Sequence, residues 1–194
     1  DHHKTAQANL EGLDWCTFDM NRSGAGMTWD YFYPGQPRPD LINVVEDRDL
    51  WRFALAKTRA LHAYIESYPK DFPSWDKLEN DLIYHYADCV YAGEAILRYH
   101  DQKVQELAQF AIPKEIAGYT VPVVNCPYIF ASDVLHLLTE RYPTAPFAAG
   151  WSETTVGVKR WSLRGRSSDA FDVSAVAKKF GGGGHTKAAG FEVK

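Results

Sequence analysis

Residue types able to do chemistry gather at the two ends of this sequence and once between them. Asp1-His2-His3 sets a carboxylate beside two imidazoles, the donor set of manganese, iron or zinc; an exposed polar segment is the competing reading. Near the other end, Gly181-Gly182-Gly183-Gly184-His185 follows Arg164 and precedes Ala188-Ala189-Gly190-Phe191. Consecutive glycines lose conformational entropy inside a helix or strand and bring no side chain to pack. The run is therefore expected outside packed elements, where backbone comes close to something. Bare amides flanked by Arg164 and His185 would form a cradle for an anion. A flexible linker is the alternative, weakened by the apolar residues 188–193 that follow at once. Between the ends, Asp47 and Asp49 follow the apolar Leu41–Val45. They would share one face of a strand and diverge on a helix. Either suits a hard or borderline cation, while a helix N-terminus lined with acids would need no ligand at all.

The elements that must position these residues follow from periodicity and breakers. Residues 5–13 are expected as a short helix or loop, 15–18 as a short strand, and a helix capped by Ser23 or Asn21 runs to about Phe32. A proline-rich turn covers 34–39. Helices follow at 56–67 and 75–87, then a long one from about Tyr91 to Phe110 with an apolar stripe of Ile96, Leu97, Val104, Leu107 and Phe110. His62, His85, His100 and His136 lie in helical stretches without mutual metal spacing and are read as structural. Beyond Pro113 the pattern changes. Residues 116–125 read as a strand or hairpin, and Ser132 caps a helix to Arg141 that Pro143 stops. Residues 147–151 and 154–163 read as two strands turning near Ser152-Glu153. Asp172 caps a helix over 173–180 with Val173, Val176, Ala177 and Phe180 on one face. The boundary between a helical first part and an α+β second part is expected in or just after the long helix, near residue 112.

Composition bounds the partners. At 194 residues the chain is long enough for one large or two modest domains. Apolar content of 45% and charged content of 24% are those of an ordinary globular protein. A net charge of −4 argues against a broad basic surface for long nucleic acid, but not against a small anion in a local pocket. No apolar run approaches the roughly 18 residues of a membrane span, and no signal peptide opens the chain, so no membrane partner and a cytoplasmic location are expected. Cys16, Cys89 and Cys126 have no zinc spacing and fit reduced thiols. The six tryptophans would suit base stacking, although aromatics serve more often as core.

Taken in order, the Asp1-His2-His3 triplet, Ser162-Leu163-Arg164, Asp172-Val173-Ser174, and the Gly181–His185 run with Ala188-Ala189-Gly190-Phe191 resemble the DHH/DHHA1 phosphoesterase superfamily. That superfamily includes RecJ-type exonucleases, nanoRNase/pAp-phosphatases and cyclic-dinucleotide phosphodiesterases. The resemblance implies an α/β protein. Residues 1–112 would be the C-terminal, mostly helical part of a DHH domain plus a linker helix, and 113–194 a smaller α+β DHHA1 domain with a mixed sheet. It implies hydrolysis of phosphoester bonds in short oligonucleotides or small nucleotides by two-metal water activation, usually with two Mn2+ ions.

Carried over by the same resemblance, His2 ligates one metal, His3 lies near the scissile phosphate and Asp1 braces the histidines. Asp47 completes that metal's set, with Asp49 the second candidate. Arg164 and Gly182, Gly183, Gly184 and His185 match the residues that grip the substrate. The family's remaining motifs, a histidine with aspartates, precede its triplet, so the residues printed here carry roughly half of a two-metal site. By themselves they are expected not to hydrolyse phosphodiesters, the rest coming from an N-terminal segment of a longer protein or from a separate chain; a homodimer is also compatible. The alternative function is a module that binds a nucleotide or nucleic-acid end without cleaving it.

Overall fold

A computed structural model describes residues 1–193. The chain forms two compact units, Asp1–Asp101 and Gln102 onward, the division falling inside the longest helix. The first unit is helical: α1 (Lys4–Asn9), α2 (Gly24–Phe32), α3 (Asp40–Asp49), α4 (Thr58–Glu66), α5 (Phe72–Tyr84) and most of α6 (Tyr86–Ala108). Side-chain caps set two of the starts. The Ser23 hydroxyl accepts from Gly26 N and the Asp71 carboxylate from Ser74 N, each satisfying a first-turn amide that the helix leaves open. Apolar residues at helical spacing then meet in one core of Leu41, Val44, Leu61, Ile65, Leu78, Leu82 and Cys89. Helix α6 comes against α4 at Gly93, where a Cβ would lie 2.0 Å from the Ala60 carbonyl oxygen. The strand expected over 15–18 does not form: Trp15 is 81% exposed and sits in a turn, and the described residues of the first unit offer no strand to pair with it. The segment is held instead by Asp1 N donating to Thr17 O at 2.8 Å and Asp19 N to Asp1 O at 3.2 Å.

The second unit is a six-stranded mixed sheet: β1 (Ile112–Ile116), β2 (Tyr119–Asn125), α7 (Tyr128–Arg141), β3 (Phe147–Glu153), β4 (Lys159–Gly165), α8 (Val173–Lys178), β5 (Gly183–Gly184) and β6 (Ala188–Val193). Strand order is β1-β2-β3-β4-β6-β5. Only β2 and β3 run parallel, as the α7 crossover between them requires. The β1–β2 hairpin turns on Ala117 and Gly118, both left-handed (φ 54° and 89°), as a two-residue turn matched to strand twist demands.

Several boundaries differ from the sequence expectation: α5 starts at Phe72 with Pro73 in its first turn and ends at Tyr84, α6 starts at Tyr86 rather than near Tyr91, and β1 already covers Ile112–Ile116. Helix α7 begins four residues before Ser132, directly after Pro127 (φ −56°, ψ 142°), so Ser132 sits inside the helix. The β3–β4 turn lies over 154–158, closed by Thr154 N donating to Val158 O and Gly157 N to Thr154 O, so Ser152 and Glu153 remain in β3.

Side chains alternate across the sheet. Val121, Val123, Phe147, Ala149, Leu163 and Phe191 pack with α8 on one face. Val124, Cys126 and Ala148 pack with α7 and the end of α6 on the other. A sheet covered on both sides by helices gives the mixed α/β architecture expected from the sequence.

Candidate phosphoester site

In the first unit the triplet is organised by its own aspartate. Asp1 Oδ1 accepts from His2 N at 2.6 Å and His3 N at 3.2 Å, and lies 2.7 Å from His3 Nδ1. The imidazole centroids stand 4.7 Å apart. His2 is buried at 8% exposure, whereas the His3 side chain is half exposed. A carboxylate on one ring nitrogen fixes the tautomer and assigns the other nitrogen to a ligand or proton.

Both candidate aspartates lie on α3, and the helix separates them as its pitch requires. Asp49, the last helical residue, places Oδ2 3.6 Å from His2 Nε2. Asp47 turns to the following loop: its carboxylate accepts from Ala54 N at 2.9 Å, Leu55 N at 3.1 Å and the Thr58 hydroxyl, while its carbonyl takes Arg52 N at 2.9 Å. Burial works to raise the Asp47 pKa, but the bonds from Thr58, Ala54 and Leu55 outweigh it and the carboxyl is held below its ordinary value. The loop so fixed is strained. Trp51, Phe53 and Lys57 all adopt left-handed φ (56°, 50° and 67°), a conformation costly for side chains with a Cβ.

A neighbouring carboxylate that sequence reasoning passed over is Glu46. It is buried at 8% exposure and accepts from Ser23 N, Ser23 Oγ and Arg38 Nη1. Arg38 donates to Asp30 on α2 as well as to Glu46 on α3 and so ties the two helices, while Arg22 also donates to Asp30. The available signal was charge alternation alone, which does not separate a buried network from a solvated face.

In the second unit, Arg164 stands on β4 between Ala148 and Ala188 of the flanking strands. It rises on the α7 side, since its neighbour Leu163 points to the α8 side. The glycine run departs from expectation. Gly183 and Gly184 form an edge strand, paired with Gly190 and Ala189, so the run is not outside regular structure. The close approach it permits is to β6: a Cβ on Gly182 would sit 2.1 Å from Gly190 O, and one on Gly184 (φ 140°) 2.6 Å from Ala188 O. Three amides are already engaged within the chain, Gly181 N with Lys178 O, Gly182 N with Ala177 O and His185 N with Ala188 O. The loop is a corner hydrogen-bonded to its own chain that leads into His185, and its amides are not all bare.

No family model matches the sequence. Uncharacterized protein R106 of Acanthamoeba polyphaga mimivirus is 30% identical over 196 residues, which span 98% of this chain and 46% of that protein. The chain thus covers about half the length of this relative. Among solved structures, a pGpG-specific phosphodiesterase, PggH, from Vibrio cholerae superposes with a TM-score of 0.50 at 11% identity, over 95% of this chain and 72% of that one. The DHH domain of a protein assigned to a family of ribosomal proteins gives a TM-score of 0.45 at 10% identity, over 76% of this chain and 39% of that one. The likeness to the phosphodiesterase structure shows a shared fold, the mixed α/β architecture expected from the sequence. Among the described residues no helix is long and apolar enough to cross a membrane.

Proposed function

We propose that this chain belongs to a metal-dependent phosphoesterase of the DHH/DHHA1 superfamily that acts on short oligonucleotides or small nucleotides. The observation that carries this reading is the Asp1-braced histidine pair with an α3 carboxylate 3.6 Å from His2 Nε2. Two ligand atoms each about 2.1 Å from one cation stand about 3–4 Å apart, so His2 Nε2 and Asp49 Oδ2 are spaced to share one. The mixed nitrogen and oxygen donors suit Mn2+. When bound, such a cation lowers the pKa of a water and offsets charge on phosphoryl oxygens. His2 and Asp49 would hold it.

The chain's own residues supply the remaining work. Asp1 orients His3 through Nδ1, so that Nε2 can bind or move a proton at the scissile phosphate. Asp47 shapes the loop behind Asp49. In the second unit, Arg164 offers a planar fork for two phosphate oxygens. His185 adds a further donor, and the corner built by Gly182, Gly183 and Gly184 fixes its position.

The test uses di- to five-nucleotide RNAs, 3′,5′-bisphosphonucleosides and cyclic dinucleotides with the full-length protein and Mn2+. Expected are Mn2+-dependent turnover, its abolition by His3→Ala, and a rise in KM from Arg164→Ala. Turnover that survives His3→Ala would sink the assignment. Binding without turnover in the full-length protein would establish the binding-module alternative.

A further inference from the structure

We propose that the sheet of the second unit carries, on its α8 side, a nucleobase-binding hollow walled by Trp151. The hollow has a volume of about 430 Å³ and is lined by Phe110, Ile112, Lys114, Val123, Asn125 and Trp151, a size within the range of small-ligand sites. The sheet register brings these residues together: Ile112 pairs with Val123, Lys114 with Val121, and Asn125 with Trp151. Val123 forms the buried floor, while Phe110 and Ile112 stand at the rim 72% and 53% exposed.

The indole wall is held in place from behind. Trp151, Trp161, Phe191 and Phe180 form a continuous row with centroid spacings of 6.4, 5.7 and 4.5 Å. The Lys159 ammonium lies 5.1 Å over the Trp151 ring. Asn125 Nδ2 donates to Trp151 O at 2.9 Å, which orients the amide and leaves a second N–H and the carbonyl oxygen. That donor and acceptor pair matches the edge of a base such as adenine. A flat aromatic wall, one amide and the two lysines Lys114 and Lys159 suit the base of an anionic nucleotide. An apolar peptide would leave the amide and the charges unused.

The hollow deepens the function proposed above by adding a base contact to the phosphate contacts. It is separable from them, because Arg164 rises on the opposite face of the sheet. The experiment titrates adenosine, AMP and a five-nucleotide oligoadenylate into the full chain and follows the Trp151 indole N–H by NMR. Expected are a saturable shift at Trp151 and an affinity loss of about fivefold or more in Asn125→Ala. Lys114→Ala should weaken AMP but not adenosine. Both substituted side chains are exposed, so these variants keep the fold where Trp151→Ala could lose it.

Arg164→Ala separates the two readings, since it should leave adenosine binding at Trp151 unchanged. Turnover lost with the Trp151 shift intact bears only on the phosphate site. An unmoved Trp151 signal at millimolar nucleotide, an unchanged affinity in Asn125→Ala, or an apolar peptide that shifts Trp151 where nucleotides do not would each overturn the hollow.

Discussion

Gly182 shows at the scale of one residue how a functional motif is tied to the fold. Its α-carbon faces Gly190 O so closely that any side chain must displace backbone. Gly182→Ala is expected to lower stability by about 1–3 kcal/mol, with a matching drop in thermal midpoint. Gly181→Ala should cost less, because no atom lies within 4 Å of its Cβ position and only its φ of 78° resists.

Ligand identity is also decided at this scale. Asp49→Asn should weaken Mn2+ binding about tenfold or more by titration calorimetry, whereas Asp47→Asn should retain most of it. The reverse result would favour Asp47 as the ligand. Acid tests the buried Glu46 and Asp47 and the partly exposed Asp30. Glu46 is drawn up by burial and down more strongly by Ser23 and Arg38, Asp47 behaves likewise, and Asp30 is lowered to about 2 by its bonds from Arg38 and Arg22. Folded-state values below the unfolded ones mean the stabilisation is complete above the ordinary carboxylate range and is lost as pH falls through the folded values. Urea midpoints should therefore hold from neutral pH to about pH 5 and fall progressively below it. A flat profile down to about pH 3 would contradict the network.

At the scale of elements, α3 and the loop after it act as one device. Asp47 bonds two loop amides and a hydroxyl, and these offset the left-handed conformations at Trp51, Phe53 and Lys57. Asp47→Ala removes the acceptor of the buried Thr58 hydroxyl and of the part-buried Ala54 and Leu55 amides and is expected to cost about 1–3 kcal/mol. It should also speed amide exchange at Ala54 and Leu55 specifically. Unchanged exchange there would show that the loop is held by something else, such as Arg48, whose guanidinium lies 4.2 Å over the Trp51 ring.

For the whole molecule, two separate cores imply separable stability. The first unit's core is helical, and the second unit packs the two faces of one sheet. Gly93→Ala drives a methyl toward the Ala60 carbonyl within the first unit. It should lower hydrogen-exchange protection in α4 and the start of α6 while β2, β3 and β4 keep theirs. Equal loss in both units would show that the chain unfolds as one.

The sequence by itself determined most of the elements, because helix and strand periods, Ser23 and Asp172 as caps, and the glycine run are local signals. It also determined the family resemblance, since that rests on residue types in order. What only the tertiary structure decided were facts about partners. Asp47 and Asp49 look alike along the chain, and it is the pitch of α3 that turns Asp49 to His2 and Asp47 to Thr58. The glycine run read as a bare cradle because its true neighbour, β6, enters only through strand pairing. A short strand at Trp15 is expected from local residue types, which cannot say whether a sheet is there to receive it. Trp151 and Asn125 lie 26 residues apart, and only the register of β2 and β3 sets them side by side. Local propensity is written in neighbouring residues, whereas a site is made by contacts that only the folded chain creates.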